Sequence, residues 1–282
     1  MKRALIALMV AGAVALIAKF APDAVSLAAG QAGQRGAPTA TPAPAATAPS
    51  EPAPRMADGK PDLSGVWWNG GDVGSRGLRG GGARGARGAP APPSFTSLYN
   101  AAALEKAKTL NDSHDPTLRC IPTAFGTLNV SLYSVGAVGQ IISTPKFVVM
   151  LQETYHGYQL IPTDGRKHRE DIPPAYRGDS VGHWEGDTFV VDTTNFTDDT
   201  WMFAEGRVSF HSDALHIVER YRRVDKNTLE IEATVEDPKV LTGPWTVPKQ
   251  TLVLAPFDQI MALNCSTESD TVMQGAFKSI AK

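Results

Sequence analysis

Apolar and polar residues alternate along much of the chain between residues 140 and 265, and turn signals recur about every ten residues. Alternation with a period of two is typical of strands that bury one face, and short strands at regular spacing indicate an antiparallel meander. The pattern predicts strands at 140–144, 147–155, 158–162, 189–196, 215–224, 228–236, 251–255 and 260–265. A further strand is predicted within 61–68, and one helix over 97–110 precedes the meander.

Eight or nine strands in chain order favour an all-β up-and-down barrel, because closure removes the exposed edges that a flat sheet leaves. A β-sandwich is the alternative architecture. A barrel of about eight strands holds one small ligand in its interior. The Gly65-x-Trp67 element of the first strand resembles the corresponding element of lipocalin-like barrels.

The inward and outward faces are clearest in strand 228–236, where aliphatic and acidic residues alternate. The inward set is Leu229, Ile231, Ala233 and Val235, and the outward set is Glu230, Glu232 and Glu236. On the preceding strand, the same pairing places Glu219 and Tyr221 on the inward face. Arg220 and Arg222 are then expected on the outward face, opposite the glutamates, in a structural role.

The same parity in strand 147–155 directs a second glutamate inward. The predicted inward set is Phe147, Val149, Leu151, Glu153 and Tyr155. We therefore expect Glu153 and Glu219 to enter one cavity. A carboxyl group in an apolar cavity has a raised pKa, because burial disfavours its charged form, and it then serves as general acid or base near neutral pH.

Glu153 and Glu219 are accordingly the first catalytic candidates, with Tyr155 and Tyr221 as hydrogen-bond donors. The alternative is that each glutamate pairs with an arginine or a backbone donor and orders the core. Two further catalytic candidates lie elsewhere in the chain. They are Asp192, on a strand, and His168, on the loop 166–177 that is expected to cover a barrel mouth.

Tryptophans and histidines supply the remaining candidate sites. Trp184, Trp201 and Trp245 are candidates for lining a pocket that stacks a ligand, although buried tryptophan is also ordinary core. The weak metal candidates are His211, Asp213 and His216, whose spacing matches no dedicated zinc motif. The sequence carries no phosphate-binding glycine loop and no nucleophile elbow, so we expect neither a metal nor a cofactor.

The first 28 residues have the pattern of a secretory signal, with Lys2 and Arg3 ahead of an apolar run. Cleavage is the expectation and a retained anchor the alternative, but the run is shorter than the roughly 20 residues that span a bilayer. Residues 29–57 are rich in alanine and proline and read as a disordered linker. The remainder, 58–282, is expected to form a single β-rich domain in the periplasm or outside the cell.

A glycine- and arginine-rich stretch over 70–93 resembles segments that contact nucleic acid. The formal net charge of -2 gives no support to a polyanionic partner, so we interpret the stretch as an exposed loop. The chain has two cysteines, Cys120 and Cys265. In an oxidising compartment they are expected to form a disulfide, the alternatives being a soft metal site or two free thiols.

The segment Trp184-Glu-Gly-Asp-Thr-Phe-Val-Val-Asp192-Thr resembles a family of uncharacterised exported bacterial proteins that carry W-E-G-D-T-L-V-V-D-T. The resemblance extends over most of 118–268 and includes Cys120-Ile-Pro122. Family members carry C-H-E-x-N near the end, where this chain reads Cys265-Ser-Thr-Glu268 and therefore lacks the family histidine. The resemblance implies the extent of the domain and no activity.

These observations predict an exported barrel that binds a small, largely apolar molecule in its interior. One alternative is a cofactor-free lyase, isomerase or hydrolase that uses Glu153 or Glu219. The other is an envelope scaffold, which would need no cavity. Neither nucleic acid nor stable membrane insertion after cleavage of the signal is expected.

Overall fold

Nine strands form one antiparallel sheet in the part of the chain that the computed structural model describes, residues 50–68, 93–125, 138–153, 157–203 and 208–261. The strands are β1 (Gly65–Trp68), β2 (Gly139–Ser143), β3 (Phe147–Gln152), β4 (Tyr158–Pro162), β5 (Asp179–Glu185), β6 (Thr188–Thr194), β7 (His216–Asp225), β8 (Thr228–Glu236) and β9 (Trp245–Leu254). The helices are α1 (Ala101–Lys108) and 3-10 turns at Phe95–Leu98, Asp112–His114 and Pro116–Arg119. None of these helices is long and apolar enough to cross a membrane.

The sheet order is β4-β3-β2-β1-β9-β8-β7-β6-β5, so strands that follow each other in the chain also pair in space, except β4 and β5. The first strand additionally pairs with the last, through Trp67 opposite Leu254. The sheet curls into a nearly closed barrel whose opening lies between β4 and β5. This confirms the predicted all-β meander and fixes its closure at the chain's first and last strands.

The two edge strands approach each other across this opening, which we call the seam. The Gln159 side chain on β4 donates hydrogen bonds to the Arg177 carbonyl (3.2 Å) and to Ser180 Oγ on β5 (3.1 Å). Beyond the end of β4, the Gly165 amide donates to the Gly182 carbonyl of β5 at 2.9 Å. Side chains and one loop amide therefore span the seam, where the described strands form no ladder.

Seven of the predicted strands correspond to β1, β2, β3, β4, β6, β7 and β8, although β3 ends three residues earlier than predicted. The sequence missed β5, whose central glycine, Gly182, reads as a breaker. It also missed the first half of β9, where Pro248 sits at a bulge opposite Glu232 and so costs no regular ladder bond. Ile260 and Met261 belong to no strand, and the rest of the predicted strand 260–265 lies outside the described residues.

Side-chain directions are as predicted on β7 and β8, where Glu219, Tyr221 and Ile231 are buried. On β3 the predicted parity is wrong. Val148 and Met150 are fully buried, whereas Phe147, Val149 and Leu151 lie half-buried on the outer face. Both faces of this strand are apolar, so hydrophobicity alone does not distinguish them.

The predicted helix 97–110 is divided between a 3-10 turn at Phe95–Leu98 and the shorter α1, which begins after Asn100. The Asn100 side chain caps α1 by accepting a hydrogen bond from the Ala103 amide at 2.9 Å. This segment packs on β9 through aromatic rings. Phe95 lies edge-on to Trp245 with ring centroids 5.6 Å apart.

A buried arginine joins the first strand to the turn between β7 and β8. The Arg223 guanidinium lies 4.9 Å from the Trp67 ring and donates to the carbonyls of Asp62 (2.6 Å) and Ser64 (3.0 Å). It also donates to the Lys226 carbonyl. Burial lowers the pKa of Arg223, and nearby Asp62 and Asp225 oppose that shift. The charge is therefore satisfied mainly by backbone oxygens and an aromatic face.

Residues at the end of the predicted linker contact the sheet. Arg55 forms a bidentate ion pair with Asp187 at 2.7 and 2.9 Å, and Lys226 pairs with Glu51 at 2.9 Å. The predicted signal and the first part of the linker, residues 1–49, lie outside the described residues, as do residues 70–92 of the glycine- and arginine-rich stretch.

Candidate functional site

A cleft of about 600 Å³ opens along the seam of the barrel, and we call it the seam cleft. One wall consists of apolar side chains on β3 and β4, and β5 contributes Val181. The apolar residues of the first wall are Phe147, Tyr158, Leu160 and Pro162. The opposite wall is the loop 163–178, which carries Arg166, Lys167, Arg169 and Arg177. The cleft is therefore apolar on one side and cationic on the other.

The loop 163–178 is fixed to the outer face of the barrel by His168. Its Nδ1 lies 3.2 Å from Asp179 Oδ2 on β5, and its Nε2 lies 3.0 Å from Asp192 Oδ1 on β6. Asp192 faces outward because it pairs with Val218 on a strand whose odd-numbered residues point inward. His168 and Asp192 are thus brought together as a pair, on the outer face of the sheet.

The same carboxylate oxygen also contacts a third predicted residue. His216 Nε2 on β7 lies 3.0 Å from Asp192 Oδ1, and His216 Nδ1 lies 3.2 Å from Glu236 Oε2 on β8. Each histidine therefore stands between two carboxylates. An ionised carboxylate only accepts hydrogen bonds, so an imidazole bonds to both neighbours as a donor only when both of its nitrogens carry hydrogen.

Asp179 belongs both to this cluster and to the wall of the cleft. Its carboxylate accepts from the Arg169 amide (3.1 Å) and from Arg169 Nε (2.8 Å). Burial by itself favours the neutral form of Asp179, but the hydrogen bonds from Arg169 and His168 outweigh it and lower the pKa. An ionised Asp179 therefore binds Arg169 of the loop to the first residue of β5.

The other end of the loop is held by backbone contacts. Asn195, in a left-handed conformation (φ 59°), exposes its carbonyl to the Ala175 amide at 3.1 Å. Its side chain donates to the carbonyl of Pro173 at 3.2 Å. Gly178 has φ 66°, and a Cβ there would lie 2.4 Å from the Thr194 carbonyl oxygen. A residue with a side chain would push the loop off β6.

Glu219 lies in the barrel core and not in the seam cleft. It is 3% exposed, and its Oε1 accepts a hydrogen bond from the Tyr221 hydroxyl at 2.9 Å. Burial raises the pKa of Glu219 to about 7, and the bond from Tyr221 opposes this shift. Among the described residues, no lysine, arginine or histidine forms an ion pair with it, so the arginine-paired alternative does not hold for the described contacts.

Glu153 is buried at a different place, beyond the end of β3. Its Oε1 accepts from the Met261 amide at 2.8 Å, and its own amide lies 3.4 Å from the Val138 carbonyl. These contacts fit the alternative in which the glutamate orders the chain. No described contact joins Glu153 to Glu219, and Tyr155 lies outside the described residues.

The three candidate tryptophans contact the core and do not line the seam cleft. Trp245 is fully buried, and its Nε1 donates to the Pro93 carbonyl at 2.9 Å. Trp184 packs on Phe189 with ring centroids 5.1 Å apart, and Trp201 is buried. Their role as ligand-stacking residues stays a prediction.

The weak metal candidates are separated from one another. His211 is buried, with Nε2 2.7 Å from Thr200 Oγ1, and burial lowers its pKa. Asp213 pairs with Lys239 at 2.6 Å, while His216 belongs to the Asp192 cluster. Within the described ranges, no three histidine, cysteine or acidic side chains are arranged to hold a metal ion. Cys120 ends a 3-10 turn, and its predicted partner Cys265 lies outside the described residues.

The cationic wall is the part of the site that sequence reasoning missed. The sequence contains the run Arg166-Lys-His-Arg169, but a role was predicted only for His168. The run faces β4 across a seam formed by two strands, one of which was not predicted. Comparison of the chain with family models, curated proteins and solved structures found no match. The resemblance to exported bacterial proteins therefore stays a prediction.

Proposed function

We propose that this protein binds a small, largely apolar molecule and that the seam cleft is the binding site. The proposal rests on one observation: the apolar wall of the cleft is formed by large side chains that are exposed to solvent. Leu160 is 53% exposed and Tyr158 is 68% exposed, both on the cleft wall of β4. Apolar side chains left in water beside a cavity gain free energy when a ligand covers them.

The barrel interior is a less suitable place for the ligand. Trp67, Tyr221 and Trp245 are fully buried there, and Phe189 closes against Gly182. A molecule between these side chains would have to displace close-packed rings, at a cost of several kcal/mol by analogy with core substitutions. The seam cleft is open without such a rearrangement.

The enzyme alternative has weaker support. Glu219 has a pKa suited to proton transfer, but it is 3% exposed. It does not line the seam cleft, the cavity beside β1 or the cavity on the outer face of β7 to β9. Asp179 does line the cleft, yet Arg169 holds it as a carboxylate of lowered pKa, which makes it a poor base.

Export and a Cys120–Cys265 disulfide are part of the same proposal. They rest on the leader-like residues 1–28 and on the presence of two cysteines in the chain. A denatured mass two hydrogens below that of the reduced chain is the expected result for protein recovered from an oxidising compartment.

Titration of isotopically labelled protein with 1-decanol, followed by NMR, tests the binding site. We expect shifts at residues of β4, β5 and the loop 163–178, and at least tenfold weaker binding by Leu160→Asp. Ile142→Asp is the matched control, because Ile142 is also exposed (43%) on the outer face but does not line the cleft. Shifts confined to the core, equal losses in both variants, or no binding at all would each overturn the proposal.

A further inference from the structure

The seam cleft has more positive charge than the rest of the protein leads one to expect. Four of its lining side chains are cationic and one, Asp179, is anionic, whereas the whole chain has a formal net charge of -2. Charge of one sign gathered beside an apolar wall favours ligands that combine an apolar body with an opposite charge.

Arg166 and Arg169 each bind a carboxylate, which shows the kind of group that this loop accepts. Arg166 forms a bidentate pair with Asp164 (2.8 and 2.9 Å), and this pair lowers the pKa of Asp164 to about 2. The Arg169 guanidinium holds Asp179 through a single carboxylate oxygen, Oδ1, which accepts from both Nε (2.8 Å) and Nη2 (2.5 Å). Planar guanidinium groups match the paired oxygens of a carboxylate or a phosphate, and the two groups that this loop holds are carboxylates.

Lys167 lies between these two pairs and also lines the cleft. Within the described residues it has no recorded ion pair or hydrogen bond. It therefore contributes its charge to the cleft with no carboxylate in direct ion-pair contact. Arg177, on the same loop, extends its guanidinium toward the start of β4. A Cβ built at Gly157 would lie 2.6 to 2.7 Å from the guanidinium atoms.

We infer that the seam cleft selects an amphipathic carboxylate, a soluble molecule with one carboxylate group and an apolar chain or ring. The carboxylate lies against Lys167 and Arg177, and the apolar body covers Leu160 and Phe147 on the opposite wall. This inference rests on the proposed function, since it names the class of ligand for the same cleft. Anchoring of the loop by His168 holds the cationic wall in place.

Binding of decanoate and 1-decanol, two probes that differ only in the head group, tests the inference. We expect the protein to bind decanoate about twofold to fivefold more tightly than decanol at low salt, which is the range for one exposed ion pair. The preference should diminish as sodium chloride is raised, because salt screens exposed charges.

Lys167→Glu is expected to weaken decanoate binding at least fivefold and to leave decanol binding within twofold. Lys146→Glu is the matched control, since it makes the same change of charge at an exposed residue of the β2–β3 turn that does not line the cleft. It should change both affinities less than twofold. An unchanged midpoint temperature of thermal unfolding in both variants would show that these exposed substitutions leave the fold intact.

The outcomes separate the two proposals. If decanol binds in the cleft and decanoate binds no more tightly, the carboxylate inference fails and the proposed function stands. If neither probe binds, both fail. If the protein sediments with vesicles of anionic phospholipid but binds neither soluble probe, the cationic wall recognises a membrane surface and the inference is likewise overturned.

Discussion

The Tyr221 hydroxyl donates to Glu219 Oε1 across 2.9 Å inside a core that excludes water from both side chains. Burial raises the pKa of Glu219 to about 7, above the usual value of 4.5. A raised pKa means that the folded state binds the proton more tightly than the unfolded state. The resulting stability is fully present below about pH 4.5 and is lost as the pH rises through about 7.

We therefore expect the free energy of unfolding to fall by about 3 kcal/mol between pH 4.5 and pH 8, since one pKa unit corresponds to about 1.4 kcal/mol. Glu219→Gln keeps an acceptor for Tyr221 and removes the titration, so its profile should be flatter. Urea unfolding at several pH values measures both. Glu232→Gln, at an exposed residue of β8, should keep the wild-type slope; an unchanged slope in Glu219→Gln would contradict the assignment.

His168→Ala is expected to loosen the loop 163–178 without unfolding the barrel. The substitution removes contacts to Asp179 and Asp192, worth about 1 to 2 kcal/mol together. Amide hydrogen exchange should accelerate within the loop and remain unchanged in β8. His183→Ala is the control, because His183 also contacts one outer-face carboxylate, that of Glu185, but holds no loop. Equal exchange in both variants would argue against anchoring by His168.

Arg223→Met should destabilise the protein by about 3 kcal/mol, because it leaves the carbonyls of Asp62, Ser64 and Lys226 without their donor. Thermal or urea unfolding measures the loss. Arg222→Met, at the preceding residue and on the exposed face of β7, is expected to change stability by no more than about 0.5 kcal/mol. Similar effects of the two substitutions would exclude a special role for the buried guanidinium.

Gly182→Ala is expected to cost about 1 to 3 kcal/mol through overpacking. A Cβ at this residue would lie 2.4 Å from Phe189 Cζ and 3.0 Å from Ile161 Cγ2, so both the core and the seam would have to move. Gly243→Ala meets no atom within 4 Å and should be nearly neutral. Chemical denaturation gives the free energy of unfolding of both variants. If Gly182→Ala leaves it unchanged, Phe189 and Ile161 can move apart at no cost and the overpacking argument is wrong.

The sequence predicted strands well where one face is polar and one is apolar. The alternation of Leu229, Ile231 and Ala233 with glutamates determined both β8 and its neighbour β7. It failed on β3, which is apolar on both faces, and on β5, where Gly182 is required by packing against Phe189 and not by a turn. An alternating pattern shows only the difference in hydrophobicity between the two faces of a strand. Where both faces are equally apolar, it cannot tell which face is buried.

The site was predictable only in part, because its residues meet through sheet register and not through sequence spacing. His168, Asp192 and His216 were each singled out, but their convergence depends on β5 lying beside β6 and on an outward Asp192. The cationic wall depends on where the seam falls. A meander predicts an opening between the first and last strands, whereas this barrel opens between β4 and β5.

The position of β9 has a consequence for how the chain acquires its structure. β9 pairs with β8 on one side and with β1 on the other. Without it, two separate four-stranded sheets remain, β1 to β4 and β5 to β8, with no strand ladder between them. During synthesis, β1 and β8 cannot pair with β9 until residues 245–254 have left the ribosome, so the two halves cannot join into one sheet before then. Cooperative folding is therefore a property of the nine strands together and of neither half alone.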